Sequence, residues 1–232
     1  MKRLLVLPTA FLAAGCLGSG DFTVRNTLDF DFNVHGLEWF GGVADVPAAQ
    51  VADVGLITDL RSLPSPLNTT LNGLYLSGAT VAGNLFMFQK KHWSGLTPGA
   101  TYTIALQVEF ASNYHAGCTT GPGPVAFIKM GATATEPLAI ADQQGILRMN
   151  IDKGAGINPG GFVQLGDIRN TITGCTAPST FGPRTTTIST QPTPLITDTE
   201  GGFWTFIGIQ STFAGTAEIH LLGMRLVVEG TN

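Results

Sequence analysis

The stretch from Thr101 to Ala111 alternates strictly. Tyr102, Ile104, Leu106, Val108 and Phe110 are apolar or aromatic, and Thr103, Ala105, Gln107 and Glu109 between them are small or polar. A period of two puts these sets on opposite faces of an extended chain. No helix reproduces that pattern, so the chain builds at least one long, half-buried strand. A lone strand leaves its backbone polar groups unpaired, so it demands partners. The turn Gly95-Leu96-Thr97-Pro98-Gly99 precedes it, with Pro and Gly placed as tight turns require.

Further apolar runs bounded by turn residues read as strands over 27–33, 73–77, 85–90, 125–130, 145–152, 162–165, 185–190, 203–210 and 217–229. Gly223 interrupts the last and marks a bulge. One short stretch, 47–53, reads as helical, and 172–194 reads as a long loop around one strand. Composition agrees. The chain of 232 residues carries 29 Thr, 30 Gly and 13 Pro but is only 12% charged. Helical bundles and coiled coils need far more charge at a helical period, and disordered chains are not 44% hydrophobic. The expectation is an all-β chain, a single β-sandwich of jelly-roll type with long loops over residues 27–230. Net charge is −4, and the densest basic run is Lys90-Lys91-His92. That excludes the basic footprint of nucleic-acid binding.

The amino terminus is a separate module. Met1-Lys2-Arg3 is followed by the apolar run Leu4 to Ala14, then Gly15 and Cys16. The run is too short to span a bilayer and suits the core of an export signal. With Ala13-Ala14-Gly15 before Cys16, it resembles a bacterial lipoprotein signal. That resemblance implies a signal peptide over 1–15, lipidation of Cys16, a tether over 16–26 and a bacterial cell-envelope location. An ordinary secretory signal with an incidental Cys is the alternative. If Cys16 is lipidated, Cys118 and Cys175 remain as a pair. In an oxidising compartment they read as a disulfide, against two free thiols or a metal pair.

Trp93 to Ile104, with its Gly-Leu-Thr-Pro-Gly turn before a core strand, resembles a recurring element of galactose-binding-like carbohydrate-binding modules. Phe30-Asp31-Phe32-Asn33 and Gly36-Leu37-Glu38-Trp39 are similar to their first strand. Longer segments, such as Leu85 to Lys91, Val108 to Ser112, Ile128 to Ala132, Asn150 to Gly154 and Leu165 to Asn170, resemble a family of secreted bacterial proteins. That resemblance implies secretion and one domain and supplies no mechanism.

No nucleophile elbow, zinc-protease motif or phosphate loop is present. Ligand-binding candidates are therefore aromatic platforms and scarce charges. Trp39 and Trp93 sit at strand ends near Gly, with Phe40, Tyr114 and Trp204 as further aromatics; core packing is the ordinary fate of any one of them. Tyr114 and His115 lie in the loop after the clearest strand. Lys129, Asp152, Lys153 and Asp167, with Glu109 and Glu136, are expected to converge on one sheet as a polar cleft, against simple surface salt bridging. Asp29 and Asp31 are candidate ligands of a structural Ca2+; no other cofactor is expected. The functional expectation is a membrane-anchored, non-catalytic module binding a glycan or small polar ligand. A carboxylate-dependent hydrolase and a structural component of the cell surface remain alternatives.

Overall fold

The computed structural model describes residues 23–154, 161–175 and 179–231. The expected signal peptide and Cys16 lie outside them. The fold is an antiparallel β-sandwich. Strand Thr101–Ser112 is its axis, and Tyr102, Ile104, Leu106, Val108 and Phe110 are all buried, as the alternation requires. Along one edge it pairs with the C-terminal strand Thr216–Thr231. Along the other it pairs in succession with Gly182–Thr185, Ser189–Thr190 and Leu195–Ile196. The segment expected as a loop is thus a broken edge strand, interrupted where Pro, Thr and Ser dominate.

The second sheet is five-stranded, in the order Val163–Asp167, Ala126–Thr133, Phe203–Ser211, Leu85–Trp93, Phe40–Ala44. Its inner face contributes Leu85, Met87, Ile128, Met130, Ile207 and Ile209, which pack with Ile104, Leu106, Val108 and Phe110 of the first sheet. Fully burying one such side chain stabilises by about 1.5–3 kcal/mol, so this interface dominates the fold.

The outer face of the five-stranded sheet is also covered. Ala44, Phe86, Phe88, Phe162 and Phe206 form a second apolar cluster, with Ala139, Met149 and Ile151 packed on it. Part of the cover is a small sheet of Val46–Pro47, Ile146–Met149 and Ala139–Ala141. Burial on both faces explains why Leu85 to Gln89 is almost continuously apolar rather than alternating. Glycines make room for the rings: a Cβ on Gly131 would lie 1.7 Å from Phe162 Cδ1, and one on Gly208 2.5 Å from the Phe86 ring.

Two local expectations change. The 145–152 strand shortens to Ile146–Met149, and 47–53 folds as the strand end Val46–Pro47 with two 3-10 turns, Ala48–Gln50 and Ala52–Val54. Pro47 and the β-branched Val51 and Val54 make a longer helix unfavourable. Among the described residues no helix is long and apolar enough to cross a membrane.

Candidate functional site

Strand Thr216–Thr231 changes neighbour half-way. Its first part, to Leu221, pairs with Asn72–Ala79. From Gly223 onward it pairs with Thr23–Asp31. At the same point its register with Thr101–Ser112 shifts, leaving Leu222 as a bulge. A bulge bends and twists its strand, and here two different neighbours diverge on either side of it. The gap is bridged by the Asn33 side chain, whose Oδ1 accepts from Asn72 N at 2.7 Å. Beside it the single helical turn Phe32–His35 plugs the sheet interface with buried Phe32.

A groove of about 500 Å3 opens on the solvent face of the eight-stranded sheet at this junction. Asp29, Asp31, Asn72, Gln107, Glu109 and Arg225 supply its polar groups; Leu63, Leu71 and Met224 supply apolar surface. Gln107 and Glu109 come from the polar face of the alternating strand. Arg225 grips Asp29 with Nε at 2.6 Å and Nη2 at 3.2 Å, which holds the Asp29 carboxyl below its ordinary range. Asp31 Oδ1 accepts from Asn33 N at 2.8 Å and caps the helical turn. Glu109 makes no ion pair among the described residues. The groove therefore offers fixed acceptors, amide donors and one guanidinium around leucine side chains.

The two candidate calcium ligands lie at this site. Asp29 and Asp31 do share the groove, but Asp29 is committed to a guanidinium and Asp31 to a helix cap. Among the described residues no group of three or more His, Cys, Asp or Glu is placed to hold a metal.

The expected convergence of charges occurs only in part. Glu109 lines the groove, whereas Glu136 pairs with Lys90 on the other sheet. Asp167 is held by Arg169 and Arg184 at 2.6 and 2.8 Å. Burial pushes its carboxyl up, but those hydrogen bonds and charges outweigh it and keep it low. Lys129 and Lys153 do come together beneath the outer layer, with Asp152 exposed beside them. Lys153 Nζ lies 2.7 Å from Asp45 Oδ2 and 2.6 Å from Gln210 Oε1. Burial raises the Asp45 pKa, and contacts with Lys153, Gln210 and Arg148 more than reverse it.

Lys129 is only 1% exposed. Its Nζ donates to the carbonyls of Lys153 and Gly154, each at 2.9 Å. Burial, then the charge of Lys153, pushes its pKa down to about 8. Asp152 accepts from Gly154 N at 2.9 Å. These residues tie the outer layer to the sheet; Lys129 is closed to any ligand.

The aromatic candidates are dispersed: Phe40 is 65% exposed, Trp93, Tyr114 and Trp204 are half-buried, and none lines the groove. Trp39 is 6% exposed, packed against Phe30 and Phe32. Trp93 stands edge-on to Phe30, and its Nε1 donates to Thr205 Oγ1 at 2.8 Å. Lys91 covers it at 5.0 Å. Tyr114 OH accepts from Glu218 N, and burial raises its pKa. His115 is buried, with Nε2 2.9 Å from Thr180 N and 3.1 Å from Thr180 O. The groove residues that the sequence did not single out are Arg225, Gln107, Asn72, Leu63 and Leu71. The visible signal was Gly223, the break in the last strand.

Cys118 and Cys175 form a disulfide across 57 positions. Their loops run close together: a Cβ on Gly117 would lie 2.8 Å from Gly174 N.

No family model and no curated protein matches the chain. Among solved structures it is similar to the enzymatically active domain of tailspike protein 4 of bacteriophage CBA120, at 12% identity and TM-score 0.31 over 87% of this chain. The chain spans 20% of that one. It is similar to carbohydrate-binding modules of the β-sandwich superfamily at 10% identity and TM-score 0.34, covering 92% of this chain and 74% of that one. It is also similar to the K3 adhesin domain of Lys-gingipain from Porphyromonas gingivalis W83, at 11% identity and TM-score 0.34, covering 89% and 99%.

Proposed function

We propose that the groove at the Leu222 bulge binds a glycan or similar polyhydroxylated ligand and performs no chemistry on it. One observation carries this reading: planar polar side chains, Gln107, Glu109, Asn72 and the Asp29–Arg225 pair, surround the leucine surface of Leu63 and Leu71. A sugar ring presents a rim of hydroxyls and a C–H face. Carboxylates and amides match vicinal hydroxyls with paired hydrogen bonds, and leucine covers the C–H face.

We further propose that the chain is exported and lipid-anchored at Cys16 in a bacterial cell envelope. The basic and apolar amino terminus supports this, as does the disulfide, because disulfides persist in oxidising compartments. Two or more acyl chains would anchor stably. The first strand, Thr23–Asp31, starts nearest the anchor and ends at the groove. Nine extended residues rise roughly 30 Å, which separates the groove from the amino-terminal end of this strand.

Affinity electrophoresis against a panel of soluble polysaccharides, with a glycan array, tests the ligand. Retardation that is lost on Gln107→Ala with Glu109→Ala supports the groove; retardation indifferent to both contradicts it. Mass spectrometry of the mature amino terminus tests the anchor: acylated Cys16 is expected, and an unmodified terminus elsewhere refutes it.

A further inference from the structure

At the Leu222 bulge the outward-facing side chains form two rows across three strands. In one row Asp29, Arg225 and Gln107 share a register. In the next, Asp31 and Glu109 stand on either side of Gly223, which pairs with both. The glycine puts no side chain between the two carboxylates. A Cβ on it would have Glu109 Oε2 as a neighbour at 3.9 Å, so Glu109 leans over the glycine. Adjacent strands lie about 4.8 Å apart, so the backbones carrying the two carboxylates are separated by roughly 10 Å. The space between them is part of the groove.

The polar groups around this space are engaged unequally. Both Asp29 oxygens are held by Arg225, which cancels one charge of each sign. Asp31 Oδ1 accepts from Asn33 N. Asp31 Oδ2 and both Glu109 oxygens take no hydrogen bond or ion pair among the described residues. Gln107 turns its amide nitrogen aside, donating through Nε2 to Thr186 O at 2.8 Å, and Oε1 is its remaining group. The groups left beside Gly223 are therefore acceptors. Three carboxylates against one guanidinium leave the groove a surplus of two negative charges. The amides of Asn33 and Asn72 are neutral and do not compensate it.

A hydroxyl donates one hydrogen bond and brings no charge. A primary ammonium donates three and brings the missing positive charge. We propose that the groove selects glycans bearing free primary amines, such as glucosamine units, with the ammonium seated over Gly223 between Asp31 and Glu109 and beside Gln107 Oε1. This rests on the reading of the groove as a glycan site and names the class of glycan it takes. An N-acetylated sugar replaces the ammonium with a bulkier neutral amide. A uronic acid adds a carboxylate to a row that already holds two.

Calorimetric titration of the full mature chain, in mildly acidic buffer that keeps amines charged, compares a short chitosan oligomer with its fully N-acetylated counterpart. The free-amine oligomer should bind at least about tenfold more tightly, the factor expected from one hydrogen bond to a charged group. Added salt should narrow the difference, because exposed charges are screened. Glu109→Gln with Asp31→Asn should remove the preference; Asn keeps a capping oxygen for the helical turn. Glu109→Gln alone, which leaves that cap untouched, should reduce it. Glu200→Gln with Asp53→Asn alters exposed carboxylates outside the groove and changes the net charge equally, and should keep the preference.

Equal binding of the two oligomers by the native protein, or binding of neither, overturns the amine assignment. So does a preference that survives Glu109→Gln with Asp31→Asn, or one lost equally in Glu200→Gln with Asp53→Asn. In any of these events, neutral polysaccharide binding that still depends on Gln107 and Glu109 leaves the groove reading standing. Its absence as well contradicts both.

Discussion

Arg225 reaches from one strand to its neighbour and grips Asp29 with two nitrogens, at 2.6 and 3.2 Å. The pair lies where the C-terminal strand exchanges one partner for another, and it makes a guanidinium part of a groove otherwise rich in carboxylates. Arg225→Ala should leave folding unchanged, because exposed ion pairs contribute little. It should weaken ligand binding by about tenfold or more, the effect of losing a charge-assisted hydrogen-bonding group of roughly 1.5–3 kcal/mol. Parallel urea titration and affinity electrophoresis separate the two effects.

The buried amine of Lys129 predicts an alkaline signature. Its pKa is about 8 in the folded protein against 10.5 when unperturbed. Between these values the unfolded chain holds more protons, so stability rises with pH across that window and the gain is lost again as pH falls through about 8. The contribution is on the order of 2 kcal/mol. Urea unfolding at pH 7.5 and 9.5 should show it in the native protein and not in Lys129→Met. Equal pH dependence in both contradicts the burial of this amine.

Gly131 is required by the outer layer. An alanine Cβ would lie 1.7 Å from the Phe162 ring, so Gly131→Ala must displace Phe162 from its contact with Phe206, now at 4.8 Å between centroids. Overpacking of this kind costs about 1–3 kcal/mol. A shift in urea midpoint without a change in slope is the expected result.

The disulfide closes a loop spanning 57 positions. In the chain-entropy model its removal costs about 4 kcal/mol, a fall in Tm on the order of 10 °C for a chain of this size. Cys118→Ser with Cys175→Ser, followed by calorimetry, checks this. An unchanged Tm would mean that the bridge does not restrain the unfolded chain.

The sequence disclosed the strands whose partners are already implied by local pattern. Tyr102 to Phe110 alternate because one face meets the core and the other meets water. The fate of single polar or aromatic residues was less legible. Lys129 alternates outward from Ile128 and Met130, and in a two-layer sandwich outward means solvent. Here a third layer covers that face. Trp39 reads as a platform beside Gly, yet Phe30 and Phe32 enclose it.

The groove was the least legible feature. It depends on Gly223 pairing with Asp31 while Leu221 pairs with Leu74. Contacts so far apart in sequence leave no local period. Only the glycine marked the place.

The most direct measurement is affinity electrophoresis of the mature protein on the polysaccharide that retards it most, comparing Gln107→Ala with Glu109→Ala against Trp39→Phe. The groove variant should lose at least about tenfold in apparent affinity, which corresponds to roughly 1.4 kcal/mol or more. Trp39→Phe, which keeps an aromatic ring in the core, should bind as the native protein does. Retained binding in the groove variant, or loss in Trp39→Phe at unchanged stability, would contradict the assignment of the ligand to this groove.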